Sequence, residues 1–237
     1  MTIMATHHPR VSVKSRSSLR PDRPVTRLQR GAAVVSLAAG GLFTVLLAGL
    51  HVVKPELEPT WRFVSEYALG RAGWMMTVAF ISLATSLFGA VVATWRHVRT
   101  VAGRIGLVIL VVAAAGLLIA AGFETDPINT AAEAYTQAGR VHLLGASLDY
   151  SPIGMLLTGW ALSRTQRWRL LRRPLMITAG TSLALMVGFT ATLPHDGQFG
   201  PDTYTGLLGR FLLLSYLGWI VVVGRAVRRA AQPAAEA

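Results

Sequence analysis

Six apolar runs constrain this chain more than anything else in it. They lie near Gly31–Val53, Gly73–Thr94, Ile105–Phe123, Val141–Leu162, Pro174–Leu193 and Thr205–Val223. Each is roughly 20 residues long, the length at which a helix crosses a hydrocarbon core of about 30 Å. Lipid offers no partner to a free backbone N–H or C=O, so such runs must be helices or strands of a closed barrel. A barrel strand alternates apolar and polar residues, and the stretch from Val108 to Ala120 does not. The sequence therefore predicts an all-α fold, an integral membrane bundle of six transmembrane helices. Only 14% of the 237 residues are charged, against about 25% in a soluble domain.

Charge placement predicts the threading. Arg10, Lys14, Arg16, Arg20, Arg23, Arg27 and Arg30 precede the first run. Arg96, Arg99 and Arg104 lie between the second and third, and Arg164, Arg167, Arg169, Arg172 and Arg173 between the fourth and fifth. Arg225, Arg228 and Arg229 follow the sixth. By the positive-inside rule these segments, and both termini, are cytoplasmic, which makes the chain a multi-pass protein of the cytoplasmic (inner) membrane. Glu56, Glu58, Glu66, Glu124, Asp126, Glu133, Asp196 and Asp202 segregate to the other side. The formal charge of +12 is then a topology signal, and nucleic acid is not an expected partner. Residues 1–30 read as a disordered basic cytoplasmic tail, 31–224 as the six-helix domain and 225–237 as a short cytoplasmic tail.

A weak repeat groups the runs into three helical hairpins. Gly70-Arg71, Gly139-Arg140 and Gly209-Arg210 are spaced by 69 and 70 residues, and Asp126 and Asp196 each stand 13 residues before a glycine of this set. Small residues such as Ala113, Ala114, Ala115 and Gly116 permit close packing within the chain, with a second copy, or with a membrane partner protein.

The outer ends hold most of the polar groups that could do chemistry: His51, Ser65, Glu66, Asp126, His142, His195 and Asp196. His142 and Asp149 are seven residues apart, which on one continuous helix puts them on the same face. An acid at mid-span should face the bundle and have a partner, and Arg210 is the candidate for a structural ion pair with Asp149. Pro152 should kink the helix and free the carbonyl of Leu148. The absence of cysteine excludes disulfides, thiolate zinc sites, iron–sulfur clusters and a thiol nucleophile. A histidine–carboxylate zinc site would need groups from four separate segments, without an HExxH motif. Bis-histidine haem would need His51 and His142 to face each other inside the bundle. A serine hydrolase would need Ser65 beside His142 or His195, with no elbow motif.

The segments His51…Ser65-Glu66-Tyr67-Ala68-Leu69-Gly70, Gly73-Trp74, Phe123-Glu124-Thr125-Asp126-Pro127 and Gly139-Arg140-Val141-His142 resemble the bacterial membrane family known as domain of unknown function 998, from about Arg30 to Arg229. The resemblance implies a six-helix prokaryotic membrane protein and directs attention to Ser65, Glu66, Asp126 and His142. It implies no activity and no cofactor. The expectation is an outward-facing polar pocket, lined by the outer residues and Asp149, that binds a lipid headgroup, a small polar ligand or a partner. A metal-dependent hydrolase of outer-leaflet lipid and a small-solute transporter are the alternatives.

Overall fold

A computed structural model describes residues 23–230. The described chain has no strand; its helices are α1 (Arg27–Val53), α2 (Trp74–Thr94), α3 (Val101–Gly122), α4 (Gln137–Ser147), α5 (Ser151–Leu162), α6 (Gln166–Arg169), α7 (Arg172–Ala191) and α8 (Thr205–Arg229). Threonines cap three of them. The Thr26, Thr100 and Thr136 side chains accept from the backbone N–H of Gln29, Gly103 and Gly139, satisfying donors that the first helical turn leaves free. Most of the basic tail read over residues 1–30 lies outside the described residues, but helix begins at Arg27, four residues before the first apolar run. At the other end α8 continues to Arg229, into the segment read as the C-terminal tail, whose residues 231–237 are not described.

Five helices, α1, α2, α3, α7 and α8, are long and apolar enough to cross a membrane, which is the architecture of a multi-pass integral membrane protein. The fourth apolar run differs from expectation. It is two helices of about 17 Å each, with a break at residues 148–150. Pro152 does not kink a helix; it sits in the first turn of α5, where a missing N–H is harmless. Asp149 makes the turn, its Oδ1 accepting from the Ser151 N–H at 3.1 Å and the Ser151 hydroxyl at 2.6 Å. The carbonyl of Leu148 is taken by the N–H of Tyr150 at 3.0 Å. Asp149 therefore lies in the break, beyond α4, and does not share a helix face with His142.

Helix α1 packs on α2 and α8, α2 on α3 and α8, α3 on both α4 and α5, α5 on α7, and α7 on α8. Helices adjacent in sequence thus pack on each other, within the pairs α1–α2, α3–α4/α5 and α7–α8 and also between those pairs. In the first, Ser36 and Ser86 each donate a hydroxyl to the other's carbonyl, at 2.6 and 2.7 Å, and the Gln29 amide donates to the Ala93 carbonyl at 3.0 Å. Glycines bring the second together. A Cβ on Gly116 would stand 2.4 Å from the Gly145 carbonyl oxygen, and one on Gly145 would stand 2.7 Å from that of Gly116. Gly106 and Gly154 are opposed in the same way, at 2.8 and 3.0 Å. These two contacts lay α4 and α5 along the length of α3. Without a hydrophobic drive between helices in lipid, such close approach supplies packing energy. Gly145→Val is therefore expected to destabilise the protein by about 1–3 kcal/mol through overpacking, read as a lower melting temperature in detergent. Gly180→Ala, on α7 with nothing within 4 Å of its new Cβ, is expected to be neutral or to stabilise by under about 1 kcal/mol.

Candidate functional site

Three connecting segments, residues 54–73, 123–136 and 192–204, are tied to one another at one end of the bundle. We call this the cap end. The opposite end carries the arginine-rich segments, and there Trp168 of α6 is buried with its ring 5.9 Å from that of His97.

The first tie is Glu66, in a 3-10 turn (Val64–Ala68) and 1% exposed. Its Oε1 accepts from Arg62 Nη1 at 2.8 Å and from the N–H of Ile128 at 3.1 Å, while Oε2 accepts from the N–H of Phe63 at 3.2 Å. One carboxylate thus joins the first cap segment to the second. Asn129 joins the second to the third, exchanging two hydrogen bonds with the backbone of Phe199 at 3.1 and 3.0 Å. The N–H of Leu207, in the first turn of α8 just after the third segment, donates to the Thr60 carbonyl at 2.8 Å, closing the start of α8 onto the first segment.

Arg210 lies beneath this cap, 4% exposed. Its Nε donates to His51 Nε2 at 2.9 Å; its Nη1 donates to the carbonyls of Pro59, Arg62 and Gly206 at 3.0, 2.7 and 3.0 Å. The guanidinium carbon stands 5.3 Å from the centre of the Tyr67 ring. Nη2 is buried and has no hydrogen-bond partner. His51 Nδ1 lies 2.7 Å from the Leu47 carbonyl. A carbonyl only accepts and a guanidinium only donates, so His51 is held as the neutral tautomer with its proton on Nδ1.

The ion pair expected between Asp149 and Arg210 is not formed. Asp149 Oδ2 accepts from the Tyr216 hydroxyl at 2.9 Å, and Oδ1 is held by Ser151. The break in the fourth run keeps the acid in its own turn, while α8 presents Arg210 to the cap. Arg210 contacts no carboxylate among the described residues.

The remaining candidates have local duties. His142, 4% exposed, points Nδ1 at the carbonyls of Ala120 and Phe123, both at 2.9 Å. Nδ1 must carry the proton, and the ring caps the C-terminus of α3. Asp126 Oδ2 accepts from the N–H of Thr136 at 2.9 Å, at the start of α4. A Cβ on Gly139 would stand 1.9 Å from that oxygen, so Gly139 leaves the room Asp126 occupies. Asp196 Oδ1 accepts from the N–H of Gln198 at 3.0 Å in an exposed turn, and His195 beside it is exposed. Ser65 is half-buried in the 3-10 turn. The Gly-Arg repeat does not extend to side chains: Arg71 and Arg140 are exposed where Arg210 is buried.

The structure thus brings His51 to Arg210 and Glu66 to the second cap segment, but it does not gather the candidates into one pocket. Among the described residues no three His, Cys, Asp or Glu side chains come together as a metal site. His51 has both ring nitrogens engaged within the protein, so it offers no free lone pair to a metal or haem. Sequence reasoning passed over Lys54, which is 5% exposed and donates through Nζ to the carbonyls of Tyr67 and Leu69. A single lysine closing an apolar run, on the side where acids predominate, was the signal available. It also passed over Tyr216, the partner of Asp149, which reads as an ordinary residue of an apolar span.

No curated protein and no solved structure matches the chain. A family model described as a protein of unknown function, DUF998, matches residues 37–226, from the middle third of α1 to the last turn of α8, and the chain belongs to that family.

Proposed function

We propose that the protein crosses the inner membrane six times, with α4 and α5 together making the fourth crossing, both termini in the cytoplasm and the cap facing outward. We further propose that it is a binding protein whose cap takes an anionic group, a lipid headgroup or a small phosphate or carboxylate, at Arg210. The threading is supported by the arginines at the end opposite the cap. The binding reading is carried by one observation: a buried guanidinium that contacts no carboxylate and keeps Nη2 unpartnered. A buried charge costs several kcal/mol unless it is paired. Carbonyl dipoles, His51 and the Tyr67 face offset part of that cost, and an anion would complete it.

The test is thermal unfolding of the detergent-solubilised protein titrated with short-chain phosphatidylglycerol, inorganic phosphate and acetate. At least one anion is expected to raise the melting temperature of the wild type but not of Arg210→Gln. Equal responses in the two proteins would remove the reading.

A second reading, transport, draws on Asp149, which is half-buried at a break between two short helices. Discontinuous helices are where transporters place coupling-ion sites. Under the binding reading Asp149 only starts α5, and proteoliposomes of Asp149→Asn are expected to pass protons at the wild-type rate. A tenfold loss of proton flux in that variant would favour transport.

A further inference from the structure

We propose that the segment joining α5 to α7 is a docking site for an anionic phospholipid, with arginines on its phosphate and Leu170 among its acyl chains. The site is at the end opposite the cap. It rests on the membrane reading above but not on which way the protein faces, nor on Arg210.

Four observations carry it. The segment is held in place: Trp168 is 1% exposed against His97, the Arg169 N–H donates to the Thr165 carbonyl at 3.0 Å, and the Leu171 N–H donates to that of Trp168 at 3.0 Å. Burying Trp168 turns its neighbours outward, so Arg169 and Leu170 are exposed, as are Arg172 and Arg173 at the start of α7. Gln166, Arg169, Leu170, Arg172 and Arg173 line a surface concavity of about 710 Å³. No Asp or Glu occurs anywhere between Asp149 and Asp196, so no acid of this segment or of α7 competes for the guanidinium groups.

Leu170 decides between a lipid and a soluble anion. It is 88% exposed, more than any other large apolar residue described. A free phosphate would have no use for an exposed leucine beside three arginines. A phospholipid presents a phosphate next to hydrocarbon, which fits both halves of the groove. Guanidinium groups bind phosphate through paired N–H donors, and each basic residue at a membrane surface adds roughly fivefold to anionic-lipid affinity. The plainer role for these arginines, orienting the chain during insertion, predicts no lipid preference once the protein is folded.

The experiment titrates the full chain in neutral detergent with short-chain phosphatidylglycerol, short-chain phosphatidylcholine or inorganic phosphate, reading the melting temperature. The variants are Arg169→Gln/Arg172→Gln/Arg173→Gln and, with the same change in net charge, Arg225→Gln/Arg228→Gln/Arg229→Gln. Phosphatidylglycerol should stabilise the wild type more than phosphatidylcholine does. Its half-saturating concentration should rise about a hundredfold in the first variant and less than threefold in the second. If the triple variant does not fold, Arg169→Gln and Leu170→Ser alone should each weaken the response several-fold. Equal responses to the two lipids, or equal losses in the two triple variants, would overturn the proposal. So would inorganic phosphate reproducing the whole effect, or a phosphatidylglycerol response that survives in the first variant and disappears only in Arg210→Gln.

Discussion

Arg210→Met is expected to be the most damaging single substitution in the cap. Methionine fills a similar length but donates nothing. His51 Nε2 and the carbonyls of Pro59 and Arg62 lose their donor, while the Gly206 carbonyl keeps its place in the helical ladder of α8. A buried acceptor left unpaired costs about 1–3 kcal/mol. Removing a buried charge returns part of that sum, so the net loss should be about 3–5 kcal/mol, a large fraction of a typical total stability of about 5–15 kcal/mol. The check is thermal unfolding, with amide hydrogen exchange over residues 57–63 as the local readout. Arg140→Met is the control. It alters the same Gly-Arg dipeptide at an exposed position and should shift stability by no more than about 0.5 kcal/mol. Equal losses in the two variants would show that Arg210 does not hold the cap.

Glu66→Ala should come second. It leaves the N–H groups of Phe63 and Ile128 without an acceptor and Arg62 without its carboxylate. Arg62 keeps its stack on the Trp61 ring, 4.4 Å from the centroid, and its side chain is 30% exposed, so the loss of the ion pair itself should be minor. The two orphaned amides dominate, at roughly 2–4 kcal/mol together. The effect should be local: exchange at Ile128 and its neighbours in residues 124–136 should accelerate well before that of α1 or α2. Glu66→Gln keeps an acceptor oxygen and should lose less than half as much. Unchanged protection at Ile128 in Glu66→Ala would show that the first two cap segments are not joined through this side chain.

Both predictions concern residues that stood out in the sequence, yet in each case for a reason the sequence did not supply. Glu66 was legible as an acid in a short distinctive segment. That it would accept from the backbone of Ile128, 62 positions away, was not. Arg210 was legible as a base within a span, and charge logic paired it with Asp149, the acid in another span. The fold instead gave it a histidine 159 positions away and three carbonyls. His142 and Asp149 were separated by a break that the proline signalled, but as the start of a helix rather than a kink. Carbonyls and amides carry no sequence signature, so a side chain that pairs with them cannot be traced from residue types alone.

The sequence by itself determined that this is an all-helical chain with helices apolar enough to cross a membrane, and that most of its arginines fall in the segments opposite the cap. Hydrocarbon leaves a backbone almost no other way to satisfy its polar groups, so about twenty apolar residues are enough to dictate the element. Only the tertiary structure decided what the polar residues at the cap do. A hydrogen bond forms or fails over a few tenths of an ångström, and which backbone group lies within that reach of Glu66, His142 or Arg210 is set by how three distant segments fold over one another.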